Sequence, residues 1–143
     1  MASRIFGRCM VFLGLLLMTG STSFAQQSLN KTKNAPLHAG DARTFDQPMK
    51  TLIKYARDAC TEAGLVLESA ERINDESYMI LSKAKAAAFS WGEIVRVVLE
   101  EKEALKTVVR VYTRKRIGIN VTAKASYTNT IFTNIESKIE FGE

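Results

Sequence analysis

Residues 93–116, EIVRVVLEEKEALKTVVRVYTRKR, decide how this chain folds. Ile94 to Leu99 and Val108 to Tyr112 are dense in β-branched side chains, and the short charged link around Lys102-Glu103 predicts an antiparallel hairpin between them. Alternation places Val95, Val97 and Leu99 on one face and Arg96 on the other, while Val109 and Val111 oppose Lys106, Arg110 and Arg114. One face is apolar and the other carries arginine, the pattern of a sheet covered on one side and wet on the other.

Towards the N-terminus, Leu65 to Ile73 and Tyr78 to Lys85 read as two further strands, separated by Asn74-Asp75-Glu76. Leu81 to Phe89, LSKAKAAAF, is alanine-rich enough to form a helix instead; the strand reading is preferred there. Gly64 is placed to cap a preceding helix in which Met49, Leu52, Ile53, Ala56, Cys60 and Ala63 recur at three- and four-residue steps. Asp46 is expected at the N-cap of that helix with Pro48 in its first turn, after a short strand from Ala42 to Phe45.

Beyond the hairpin, a turn region over 118–124 leads to a last helix with Ser126 as N-cap. Tyr127, Ile131, Ile135 and Ile139 form its stripe, with Thr128 and Phe132 beside them. The order β-α-β-β-β-β-α predicts an α+β two-layer sandwich: an antiparallel sheet of four to five strands with two helices on one face.

The N-terminal segment reads differently. Arg4 and Arg8 precede the apolar run from Cys9 to Met18, and Ser23-Phe24-Ala25 offers small residues at the positions an export peptidase reads. Residues 1–25 are therefore expected to be a signal peptide cut after Ala25, since the apolar run is far short of the roughly 20 residues of a bilayer span. Residues 26–41, QQSLNKTKNAPLHAGD, are polar and without periodicity and are expected to be a disordered leader. Residues 42–143 make one domain, and the expected location is periplasmic or secreted.

Losing Arg4 and Arg8 lowers the formal net charge from +5 to +3, which with export disfavours nucleic acid. The export signal leaves Cys60 as the one cysteine and His38 as the one histidine, too few for a histidine-cysteine metal site or an internal disulfide. His38 lies in the leader, away from any serine or thiol it could activate, and no glycine-rich phosphate loop occurs. The residues predict no cofactor and no catalytic site.

Phe89-Ser90-Trp91-Gly92-Glu93, followed by an alternating strand and then the 108–113 strand, resembles uncharacterised bacterial envelope domains in which a Ser-Trp-Gly-Glu step opens the central hairpin. The element order over Thr44 to Ile139 is also similar to the helix-grip domains of BamC, the lipoprotein of the outer-membrane barrel assembly machinery. This chain has no lipid-attachment cysteine after its apolar run, and one domain where BamC has two. The resemblance implies a periplasmic helix-grip-like domain; likeness of fold does not carry a role in barrel assembly with it.

Two features stand out as a candidate partner surface. Trp91 with Glu93 is expected to line the mouth of a groove between sheet and helix, fit for a small apolar or lipid-like ligand. Lys106, Arg110, Arg114 and Arg116 share one strand face and would attract an acidic envelope component such as an anionic lipid, lipopolysaccharide or peptidoglycan. An exported binding module is the leading expectation and a carrier of an apolar ligand the alternative.

Overall fold

A computed structural model describes residues 21–85, 92–114 and 127–142, with side chains from residue 26 onward. The 93–116 stretch folds as the alternation predicts: Ile94–Glu103 and Lys106–Arg114 pair as an antiparallel hairpin, with Val97 opposite Val111 and Arg96 opposite Tyr112. We label the elements α1 (Ser21–Lys33), β1 (Asp41–Phe45), α2 (Met49–Glu62), β2 (Leu65–Asn74), β3 (Ser77–Ala84), β4 (Ile94–Glu103), β5 (Lys106–Arg114) and α3 (Tyr127–Phe141). The five strands form one open antiparallel sheet in the order β1-β5-β4-β3-β2. The fold is α+β, as the sequence pattern predicts.

Helices α2 and α3 cover the face that carries Val95, Val97, Leu99, Val109 and Val111. Their contribution is Leu52, Ala56, Ala59 and Cys60 from α2 and Ile131, Phe132 and Ile135 from α3. Each helix presents this set because three- and four-residue steps stack side chains on one side of a 3.6-residue turn. Phe45 closes the β1 end of this core against Phe132, with ring centroids 6.4 Å apart. Arg43 lies over the Phe132 ring at 4.6 Å and pairs with Glu136 at 2.6 Å.

Gly64 follows the C-cap of α2 with φ of 82°, the left-handed geometry expected there, and its N–H donates to the Thr61 carbonyl at 2.9 Å. At the other end the structure differs from expectation: Pro48 occupies the cap position, and no side chain caps the helix. The Pro48 carbonyl accepts from the N–H groups of Thr51 and Leu52 instead, so Asp46 is not used.

Three further expectations need correction or comment. The leader is not featureless: α1 spans 21–33, so part of 26–41 is helical, with Lys31 and Lys33 in its last turn facing the negative end of the helix dipole. Among its described side chains the fully buried one is Thr32, whose hydroxyl donates back to the Ser28 carbonyl at 2.9 Å. Such a narrow inward stripe leaves no periodicity to read. Secondly, Leu81 lies in β3, which runs as strand to Ala84; residues 86–91 lie outside the described residues, as does Ser126. Thirdly, the face away from α2 and α3 is not simply wet, because α1 lies against β4 on that side. Met79, Leu81, Ile94, Arg96 and Val98 are all buried there.

Candidate functional site

Arg96 organises the outer face. It is 0 % exposed, in mid-sheet, and its guanidinium has no carboxylate partner among the described residues. Its donors go to main-chain carbonyls of the segment that follows α1: Nη2 donates to Pro36 at 2.7 Å, and Nη1 donates to Ala35 and, at 3.4 Å, to Lys33. The guanidinium also sits 5.4 Å from the Tyr112 ring centroid, in cation–π range. Burial pushes the Arg96 pKa down, opposed by Tyr112. The carbonyl dipoles and the ring stand in for water around the cation, since an unpaired buried charge is otherwise very costly.

This clamp fixes α1 above the sheet and leaves a groove between the helix and β5. The groove has a volume of about 760 Å³ and is lined by Gln26, Gln27, Asn30, Lys31, Asn34, Ala35, Pro36, Tyr112 and Arg114. Gln26 and Asn30 stand four residues apart on α1 and Asn34 four further on, just beyond its end, so a ladder of carboxamide residues shares the groove lining with Tyr112 and Arg114. Among the described residues two cations and no acid line it. A second concavity of about 280 Å³ on the flank of α2 has Lys50, Lys54 and Arg57 along its wall, but Lys54 is already paired with Asp58 at 3.6 Å.

The structure scatters the residues singled out from sequence. Arg114 lines the groove. Arg110 shares its strand face but lies 3.9 Å from the carboxylate of Glu100, which also takes Lys102 at 3.1 Å. Lys106 sits at the far end of β5, about 27 Å along the strand from Arg114 by strand geometry, and bridges Glu103 at 3.4 Å. Glu93 belongs to the opposite side, near the start of α3. There burial first, and the Glu93 charge second, raise the pKa of Tyr127. Trp91 and Arg116 lie outside the described residues.

The residues that complete the groove, above all the Gln26-Asn30-Asn34 ladder, escaped the sequence reading. Their four-residue spacing was the one available signal, and amides at helical steps are common enough to pass unnoticed. On the other side of the sheet, the space where an apolar ligand was expected is filled by Leu52, Val97, Leu99, Val109, Ile131 and Ile135, each fully buried. Among the described residues no helix is long and apolar enough to cross a membrane, and no cluster of histidine, cysteine and acid could hold a metal.

An open antiparallel sheet backed by two helices, with a third element across its outer face, is the class of protein that the fold defines. No protein-family model and no curated protein matches the chain. Among solved structures it is similar to that of DR_A0006 from Deinococcus radiodurans, at 14 % identity and a TM-score of 0.31, over 72 % of this chain and 96 % of that one.

Proposed function

We propose that this chain is an exported, non-enzymatic binding module of the cell envelope, and that it holds an acidic envelope component in the groove between α1 and β5. The observation that carries this reading is the groove wall, where Lys31 and Arg114 stand with carboxamides and Tyr112 and no acidic side chain. Two cations at one open groove favour an anion, with an attraction that salt screens. The N-terminal arginines and apolar run support export, and the Ser-Trp-Gly-Glu resemblance supports an envelope setting. An apolar-ligand carrier has less support, because the space between the sheet and α2 and α3 is packed with side chains.

The test is the double change Lys31→Glu with Arg114→Glu, read by retention of anionic components from envelope extract at low and high salt. Arg110 is left alone, because a glutamate there would face Glu100 and disturb the fold. Binding by the native protein that weakens with salt and disappears in the variant, with the thermal melt unchanged, is the expected result. Equal retention by the two proteins removes the proposal.

A further inference from the structure

Resting on the reading of the groove as an anion site, we infer that its ligand is a short carboxylate-bearing oligosaccharide. The Gln26-Asn30-Asn34 ladder spans about 12 Å at the rise of an α-helix, so the groove is elongated and suits a short oligomer better than a single ion. Each carboxamide both donates and accepts, which matches the hydroxyl and acetamido groups of a sugar, themselves donors and acceptors at once. A phosphate or carboxylate cluster accepts only, and would leave the amide oxygens facing like charge.

Tyr112, Pro36, Ala35 and the methylene stems of the glutamines supply apolar surface between those polar heads. A pyranose ring has the same mixed character, with C–H faces between rims of hydroxyls. Arg114 supplies a planar fork that fits a carboxylate in two-point fashion, and Lys31 a second point charge. Among the described residues the lining contains no leucine, isoleucine, valine or phenylalanine, which disfavours acyl chains.

The groove also has a rigid floor. Tyr112 is held beside the buried Arg96 guanidinium, and Pro36 and Ala35 are fixed by the same guanidinium through their carbonyls. A wall ordered in advance loses little conformational freedom on binding, and polar sugars need that help because they compete with water for every hydrogen bond.

Calorimetric titration of the purified protein with trigalacturonate, with maltotriose as the neutral match and phosphatidylglycerol vesicles as the lipid arm, tests the inference. The uronate trimer should bind and maltotriose should bind more weakly. Asn30→Leu and Arg114→Gln should each weaken the uronate by about tenfold or more, the scale of one lost hydrogen bond to a charged or well-placed polar group. Circular dichroism melts confirm that both variants fold. Absence of trimer binding, or binding indifferent to both changes, overturns the inference. Vesicle binding without trimer binding overturns the sugar assignment while the acidic-partner reading stands; failure of the trimer, the vesicles and the envelope extract together removes both.

Discussion

Arg96 is the residue on which the outer face turns. An arginine between Val95 and Val97 on a mid-sheet strand looks like a solvated side chain, yet here it is fully buried, with both Nη groups donating to backbone carbonyls and Nε left without a partner. Replacing it by methionine keeps most of the volume and removes every donor. The carbonyls of Lys33 and Ala35 then lose the Arg96 donor, while that of Pro36 keeps the Ala39 N–H at 2.9 Å, at a cost of about 1–3 kcal/mol for acceptors left unmet. The segment can recover part of that by lifting into water. Arg96→Met is therefore expected to lower the melting temperature by several degrees and to make residues 33–39 a preferred site of limited proteolysis, with the α2 and α3 core still protected. A variant that melts and resists protease like the native chain would show that the clamp does not hold the segment. Gly40 adds a second local constraint: at φ of 102° its Cα lies so close to the Val111 carbonyl that a Cβ would collide with it.

At the level of elements, α1 acts as a cover. Met79, Leu81, Ile94 and Val98 form a buried apolar strip across two neighbouring strands on the side where α1 lies against β4, each side chain contributing roughly 1.5–3 kcal/mol when fully buried. The ion pair of Lys33 with Glu71 at 2.7 Å adds little, because both side chains are about 40 % exposed, at 41 % and 43 %. Apolar cover and the Arg96 clamp dominate. Deleting residues 26–39 is accordingly expected to leave a far-ultraviolet spectrum with strand and helix content, while the protein binds a hydrophobic dye and associates with rising concentration. Dye binding no greater than that of the intact chain would mean that the strip is protected in some other way. The opposite face is tied more conventionally, with Lys138 of α3 bridging Glu62 of α2 at 2.6 Å and Asn134 donating to the Ala59 carbonyl at 3.3 Å.

The described fold depends on its core, since Cys60 is buried and free and supplies no crosslink. Burial raises the Cys60 thiol to about 11, with the neighbouring Ser82 acting in the lowering direction. The folded chain therefore keeps this proton where the unfolded chain, with a thiol near 9, has lost it. Stability from this group is complete below about pH 9 and falls as the pH rises towards 11, by about 2–3 kcal/mol at 1.36 kcal/mol per unit. Urea titrations at pH 8 and pH 10.5 should show a lower midpoint at the higher pH, with the difference smaller in Cys60→Ala after allowing for its lower starting stability. An equal drop in both proteins would exonerate the thiol. For the same reason Cys60 should react with a thiol reagent only after denaturation.

Most of the architecture was legible in the chain. The hairpin, the β2–β3 pair, the stripes of α2 and α3 and the glycine that ends α2 all follow from side-chain period, because backbone geometry dictates which residues share a face and burial favours the apolar ones. Arg114 was legible as a surface cation for a similar reason. The fate of the outer face was not. It depends on main-chain carbonyls of residues 33–36 meeting a guanidinium about sixty residues away, and a carbonyl has no side-chain signature that would announce such a meeting. Periodicity thus settled the sheet and its two backing helices, whereas the covering of the arginine face, and the groove that comes with it, arose from long-range docking in which a buried charge had to find dipoles to replace its water.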